Sequence, residues 1–120
     1  MKKPVSPGNT VTFFRRADGL LTGYRAEGHA GYADEGYDIV CAAISALTQS
    51  TLNGLVNVLK APFMYDIDND NALLEARCTP EVTPDQLERA QLLLVTLLEG
   101  LRSIERSYPH NVRIFFEERR

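Results

Sequence analysis

Residues 10–27, TVTFFRRADGLLTGYRAE, decide the fold. Residues 10–16 are rich in β-branched and aromatic side chains, which suit a pleated strand. Asp18-Gly19 is a strong turn signal, and residues 20–27 read as the returning strand of a hairpin. In that strand Leu20, Thr22, Tyr24 and Ala26 share one face. Residues 28–37 (GHAGYADEGY) hold three glycines and no periodicity, which predicts a flexible loop. Residues 39–60 follow as a helix, with Val40, Ala43, Ile44, Leu47, Thr51, Leu55, Val58 and Leu59 at helical spacing. Asp38 is placed to cap its start, and Pro62 lies beyond its end.

The second half repeats the order. Residues 63–67 and 73–78 form a hairpin around Asp68-Asn69-Asp70-Asn71. Thr83-Pro84-Asp85-Gln86 is a strong helix start: Thr83 caps, Pro84 takes the first helical position, and Gln86 completes a capping box. This helix runs to about Ser107, with Leu87, Ala90, Leu94, Leu97, Leu98, Leu101 and Ile104 on its inner side. Residues 112–118 make a last strand, with Val112, Ile114 and Phe116 alternating. The expected fold class is α+β: two helices packed on a mainly antiparallel sheet, in the order strand-strand-helix-strand-strand-helix-strand.

The chain has 120 residues, 44% hydrophobic and 24% charged, which is enough for one domain and one core without staples. Residues 1–120 are read as a single domain, with residues 1–9, which carry Pro4, Pro7 and Gly8, as a mobile lead-in. That segment has no apolar centre and is not a signal peptide. No apolar run is expected to reach the ~20 residues of a membrane helix, and no membrane association is expected. The net charge of −3 argues against direct nucleic-acid binding, which favours a basic face. Two cysteines, Cys41 and Cys78, fit a reducing compartment, and the protein is expected to be cytoplasmic. With His29 and His110 they show no zinc spacing, so neither metal nor cofactor is expected.

One segment concentrates the reactive residue types. If Asp38 caps the helix, Cys41 is the third helical residue. The helix N-terminus then offers partial positive charge and free N–H groups, which favour a thiolate and can bind an oxyanion. A nearby histidine can take the thiol proton, and His29 ends the preceding strand. Ala42 and Ala43 leave the turn open to a substrate backbone. Ser45 lies four residues after Cys41, on the same side. From residue types alone a core cysteine and a structural histidine compete evenly with this reading.

Gly28-His29-Ala30, followed by Gly36-Tyr37-Asp38-Ile39-Val40-Cys41-Ala42-Ala43-Ile44-Ser45-Ala46-Leu47, resembles the signature of the ribosomal-processing cysteine proteases, called Prp. The resemblance extends in element order from about Val11 onward. It implies a bacterial cytoplasmic cysteine endopeptidase, homodimeric, that removes an N-terminal extension from a large-subunit ribosomal protein (number twenty-seven) by cutting after an aromatic-rich stretch. Carried over by motif position, Cys41 is the nucleophile and His29 the general base of a Cys-His dyad. Gly28, Asp38 and Ser45 support them. The loop Gly31, Tyr32, Ala33, Asp34, Glu35, Gly36 and Tyr37 closes over the peptide. The lead-in departs from the family pattern and touches nothing catalytic.

The remaining candidates read as structural. Cys78 is expected to be a core side chain, His110 an exposed loop residue, and Asp66, Asp68 and Asp70 a solvated turn without the glycine and distal glutamate of a calcium loop. Two other functions compete: a non-enzymatic ribosome-assembly factor that uses the same helix terminus to bind, and a redox-sensing thiol, against which the lack of a resolving partner near Cys41 counts.

Overall fold

The computed structural model describes residues 8–28 and 35–119. It contains β1 (Asn9–Arg15), β2 (Leu21–Gly28), α1 (Glu35–Asn53) with a π-helical extension (Gly54–Val58), β3 (Phe63–Asp68), β4 (Leu73–Cys78), α2 (Pro84–Ser107) and β5 (Val112–Glu118). The element order and class are those expected: two helices on a five-stranded sheet of order β3-β4-β2-β1-β5. All pairings are antiparallel except β1 with β5, which is parallel.

The hairpin of β1 and β2 forms the centre of the sheet. Its turn depends on Gly19 at φ +92, a left-handed conformation that costs a residue with a Cβ. Pairing Val11 with Ala26 and Phe13 with Tyr24 aims these four side chains at the helices. There they join Leu74 and Ala76 of β4, Val40, Ile44 and Leu52 of α1, and Leu94, Leu97 and Leu101 of α2 in one core. The alternate residues point the other way. Phe14, on that side, is still fully buried, because the guanidinium groups of Arg25 and Arg119 lie over its ring at 5.6 and 3.7 Å. Arg25 is in turn paired with Glu27, Glu75 and Glu117.

α2 begins with the expected capping box. The Gln86 backbone N–H donates to Thr83 Oγ1 at 3.1 Å, and the Thr83 N–H donates to Gln86 Oε1 at 2.9 Å. α1 departs from expectation at its start. It opens at Glu35, so Glu35, Gly36 and Tyr37 are helical rather than part of the loop, and Asp38 is the fourth helical residue rather than the cap. Gly36 marked a loop in the sequence. At the second position of a helix, however, an amide N–H has no intrahelical acceptor to lose, and glycine is tolerated there.

The apolar character of this helix also exceeds expectation. No charged residue falls between Ile39 and Leu59. By length and composition alone the stretch Ile39–Val58 would suffice to cross a membrane, against the reading that no run does. Here it lies on the sheet with 28% of its residues buried. Its uncharged polar residues, such as Thr48 and Gln49, interrupted the apolar run without supplying charge.

Candidate active site

A cleft of about 260 Å³ lies between α1 and the end of the sheet where β2 finishes and β3 turns into β4. Cys41 and Ser45 line it from α1, Gly28 and Ala26 from β2, Ile67 from β3, and Ala72 from the β3–β4 turn. Three of the residues expected at the site, Cys41, Ser45 and Gly28, therefore share one cavity. His29, Gly31, Tyr32, Ala33 and Asp34 lie outside the described residues.

α1 is seated on the sheet by a buried polar contact. The Tyr24 hydroxyl donates to the Thr48 carbonyl at 2.7 Å, and Thr48 Oγ1 donates to the Ile44 carbonyl at 2.8 Å. Burial pushes the Tyr24 phenol well above its ordinary range, so it stays a donor. The contact ties the second half of α1 to β2 and sets the height of Cys41 above the sheet.

The end of β2 is held as firmly. The Gly28 N–H donates to the Ala72 carbonyl at 2.9 Å, and Gly28 pairs with Asn9 of β1. A Cβ on Gly28 would lie 3.2 Å from Ala72 Cβ and 3.3 Å from Asn9 Oδ1, so this crossing of three segments favours glycine. Ala72 itself has φ +50, a strained turn residue that faces the cleft. These contacts fix the backbone immediately before His29.

Cys41 is partly buried and free. As the seventh residue of α1 it sits a full turn deeper than expected. The unpaired N–H groups of the helix terminus belong to the first four residues, so Cys41 itself does not carry one, and the dipole effect is strongest in the turn before it. Its sulfur instead meets Asn9 Oδ1 at 3.5 Å. Asn9, which the sequence places in the lead-in, is the first residue of β1 and is buried. Sequence reasoning missed it. Asn9 and Cys41 are 32 positions apart, and only strand pairing brings them together.

The second cysteine differs. Cys78 ends β4 and packs against the core, as expected. Burial pushes its thiol up and makes it a poor nucleophile near neutral pH. Among the described residues no cluster of three or more His, Cys, Asp or Glu side chains could hold a metal ion.

The arrangement presents a thiol and a glycine-terminated strand on facing walls of an open, partly apolar cleft. An extended peptide could enter it. The sequence profile described as cysteine protease Prp matches residues 10–113. The ribosomal processing cysteine protease Prp of Bacillus subtilis (strain 168) is 28% identical over 104 residues, 87% of this chain and 93% of that protein. The protein of that name from Staphylococcus aureus (strain Mu50) is 29% identical over 108 residues, 90% of this chain and 98% of its own. The crystal structure of the S. aureus protease with a substrate peptide superposes with a TM-score of 0.78 at 27% identity, covering 91% of this chain and 99% of that one. The S. aureus structure with a covalently linked product peptide gives 0.76 at 28% identity, with the same coverage.

Proposed function

The chain belongs to the cysteine protease Prp family, and from that premise we propose that it is a ribosomal-processing endopeptidase with a Cys41–His29 dyad. Its substrate is a large-subunit ribosomal protein (number twenty-seven), from which it removes an N-terminal extension. The observation that carries the reading is the cleft that joins Cys41 on α1 to Gly28, the residue before His29.

His29 takes the proton from the Cys41 thiol. The sulfur attacks the scissile carbonyl carbon, and the carbonyl electron pair moves to oxygen. As the tetrahedral intermediate collapses, the C–N bond breaks and His29 returns its proton to the departing amine. Water, deprotonated by His29, then attacks the thioester, and the thiol is regenerated with release of the acid product. Asp38, on the same helix as Cys41, supports the imidazole. Ser45, exposed at the cleft rim, contacts the peptide. The loop between the strand and α1 closes over the bound chain.

The reading also includes a homodimer. It is supported by the uncharged α1, on which Ile39 is 54% and Val58 81% exposed, surfaces that a second copy can cover. The site of action is the cytoplasm, where the ribosomal protein is made and where free thiols persist.

The test is incubation of the purified protein with its host's ribosomal protein, followed by product mass. Loss of the N-terminal extension is expected. A suitable substrate left uncut, even when bound, would overturn the reading and favour a binding factor.

A further inference from the structure

Asn9 is 5% exposed, and three contacts define its side chain. Its backbone N–H donates to the Asn111 carbonyl at 2.8 Å. Its Nδ2 donates to the same carbonyl at 3.5 Å, and its Oδ1 lies 3.5 Å from Cys41 Sγ. The first two decide the third. A carbonyl only accepts, so the amide nitrogen faces Asn111 and the amide oxygen faces the sulfur. Gly28 closes the remaining side, since its Cβ position is 3.3 Å from Asn9 Oδ1. The carboxamide thus presents a fixed acceptor to Cys41. Such an acceptor stabilises S–H and repels a thiolate, because a hydrogen bond to the neutral form disfavours ionisation.

We propose that Asn9 is a positioning residue that holds the Cys41 thiol protonated and in place on the cleft floor of the free enzyme. The thiol lets go of Asn9 Oδ1 when its proton passes to the His29 ring, which leaves the sulfur's electron pair free to attack. This rests on the reading of Cys41 as nucleophile. Glu27 of β2 is the titratable group besides Cys41 among the described residues of the cleft, and its carboxylate opposes a thiolate in the same sense as Asn9. His29 after β2 and Asp38 on α1 are its charged neighbours in sequence.

The experiment alkylates the full-length protein with iodoacetamide and follows Cys41 and Cys78 separately by peptide mass. Asn9→Ala and Asn9→Val both remove the acceptor, and valine keeps a good strand former in β1. At pH 7 both variants are expected to modify Cys41 about fivefold faster, the size of one net hydrogen bond, with Cys78 unchanged. The gain should vanish near pH ~10, above the ordinary thiol range, where either protein is ionised. A rate equal to or below that of the unsubstituted protein, or a gain that persists at every pH, would overturn the proposal. Alkylation needs no peptide cleavage. A Cys41→Ala variant that still cleaves would defeat the nucleophile reading alone.

Discussion

α1 and α2 lie against the same sheet and pack on each other, Leu47 beside Gly100 and Leu93 beside Gly54. They are built for different ends. α2 is closed by a capping box and buries Leu87, Ala90, Leu94, Leu97, Leu98 and Leu101 along one stripe, with charged residues opposite. α1 buries Val40, Ile44, Thr48 and Leu52, carries no charge from Ile39 to Leu59, and ends in a π-helical turn where the Leu59 N–H reaches back to the Gly54 carbonyl. Its free side carries Ala42, Ser45 and Ala46, small residues that leave the cleft beside Cys41 open. One helix supplies stability, and the other supplies an accessible reactive group. Stability and reactivity should therefore separate when each helix is altered.

The largest effect is expected in α1. Cys41→Ala should lower cleavage by about 10⁴-fold or more, as loss of a nucleophile does elsewhere, while the thermal midpoint stays within a few degrees. His29→Ala should do the same. Parallel loss of stability in Cys41→Ala would erase the distinction between the helices. Next comes the core of α2, where Leu94→Ala should cost about 3 kcal/mol in denaturant unfolding, with cleavage by the remaining folded fraction intact. A smaller change at the start of α2, Thr83→Ala, removes the acceptor for the Gln86 N–H and should cost about 1 kcal/mol, with no change in cleavage. The smallest effect concerns Cys78. Burial raises its thiol, so near neutral pH it should react with iodoacetamide more slowly than Cys41. Equal rates would remove the contrast between a cleft thiol and a core thiol.

The same contrast governs what could be read in advance. The span of α2 follows from Thr83, Pro84, Gln86 and the leucine stripe, because capping and amphipathic burial are local and both leave residue signatures. β4 and β5 follow equally from their alternation and flanking turns. The start of α1 does not, because Gly36 signals a loop while the second position of a helix accepts it. That one misplacement moves Cys41 from the third to the seventh helical residue and weakens the role of the helix terminus at its sulfur. Cys41, Ser45 and Gly28 are legible as a cluster through their motif, and the cleft unites them. Asn9 is not legible, since its contact with Cys41 depends on pairing β1 with both β2 and β5, a property of the assembled sheet.

The most direct measurement is an acid quench of the protein mixed with its host's ribosomal protein, followed by intact mass and peptide mapping. A thioester-linked fragment of the extension on Cys41, absent from Cys41→Ala, is the predicted result. Cleavage undiminished in Cys41→Ala, or an adduct carried by Cys78, would contradict it.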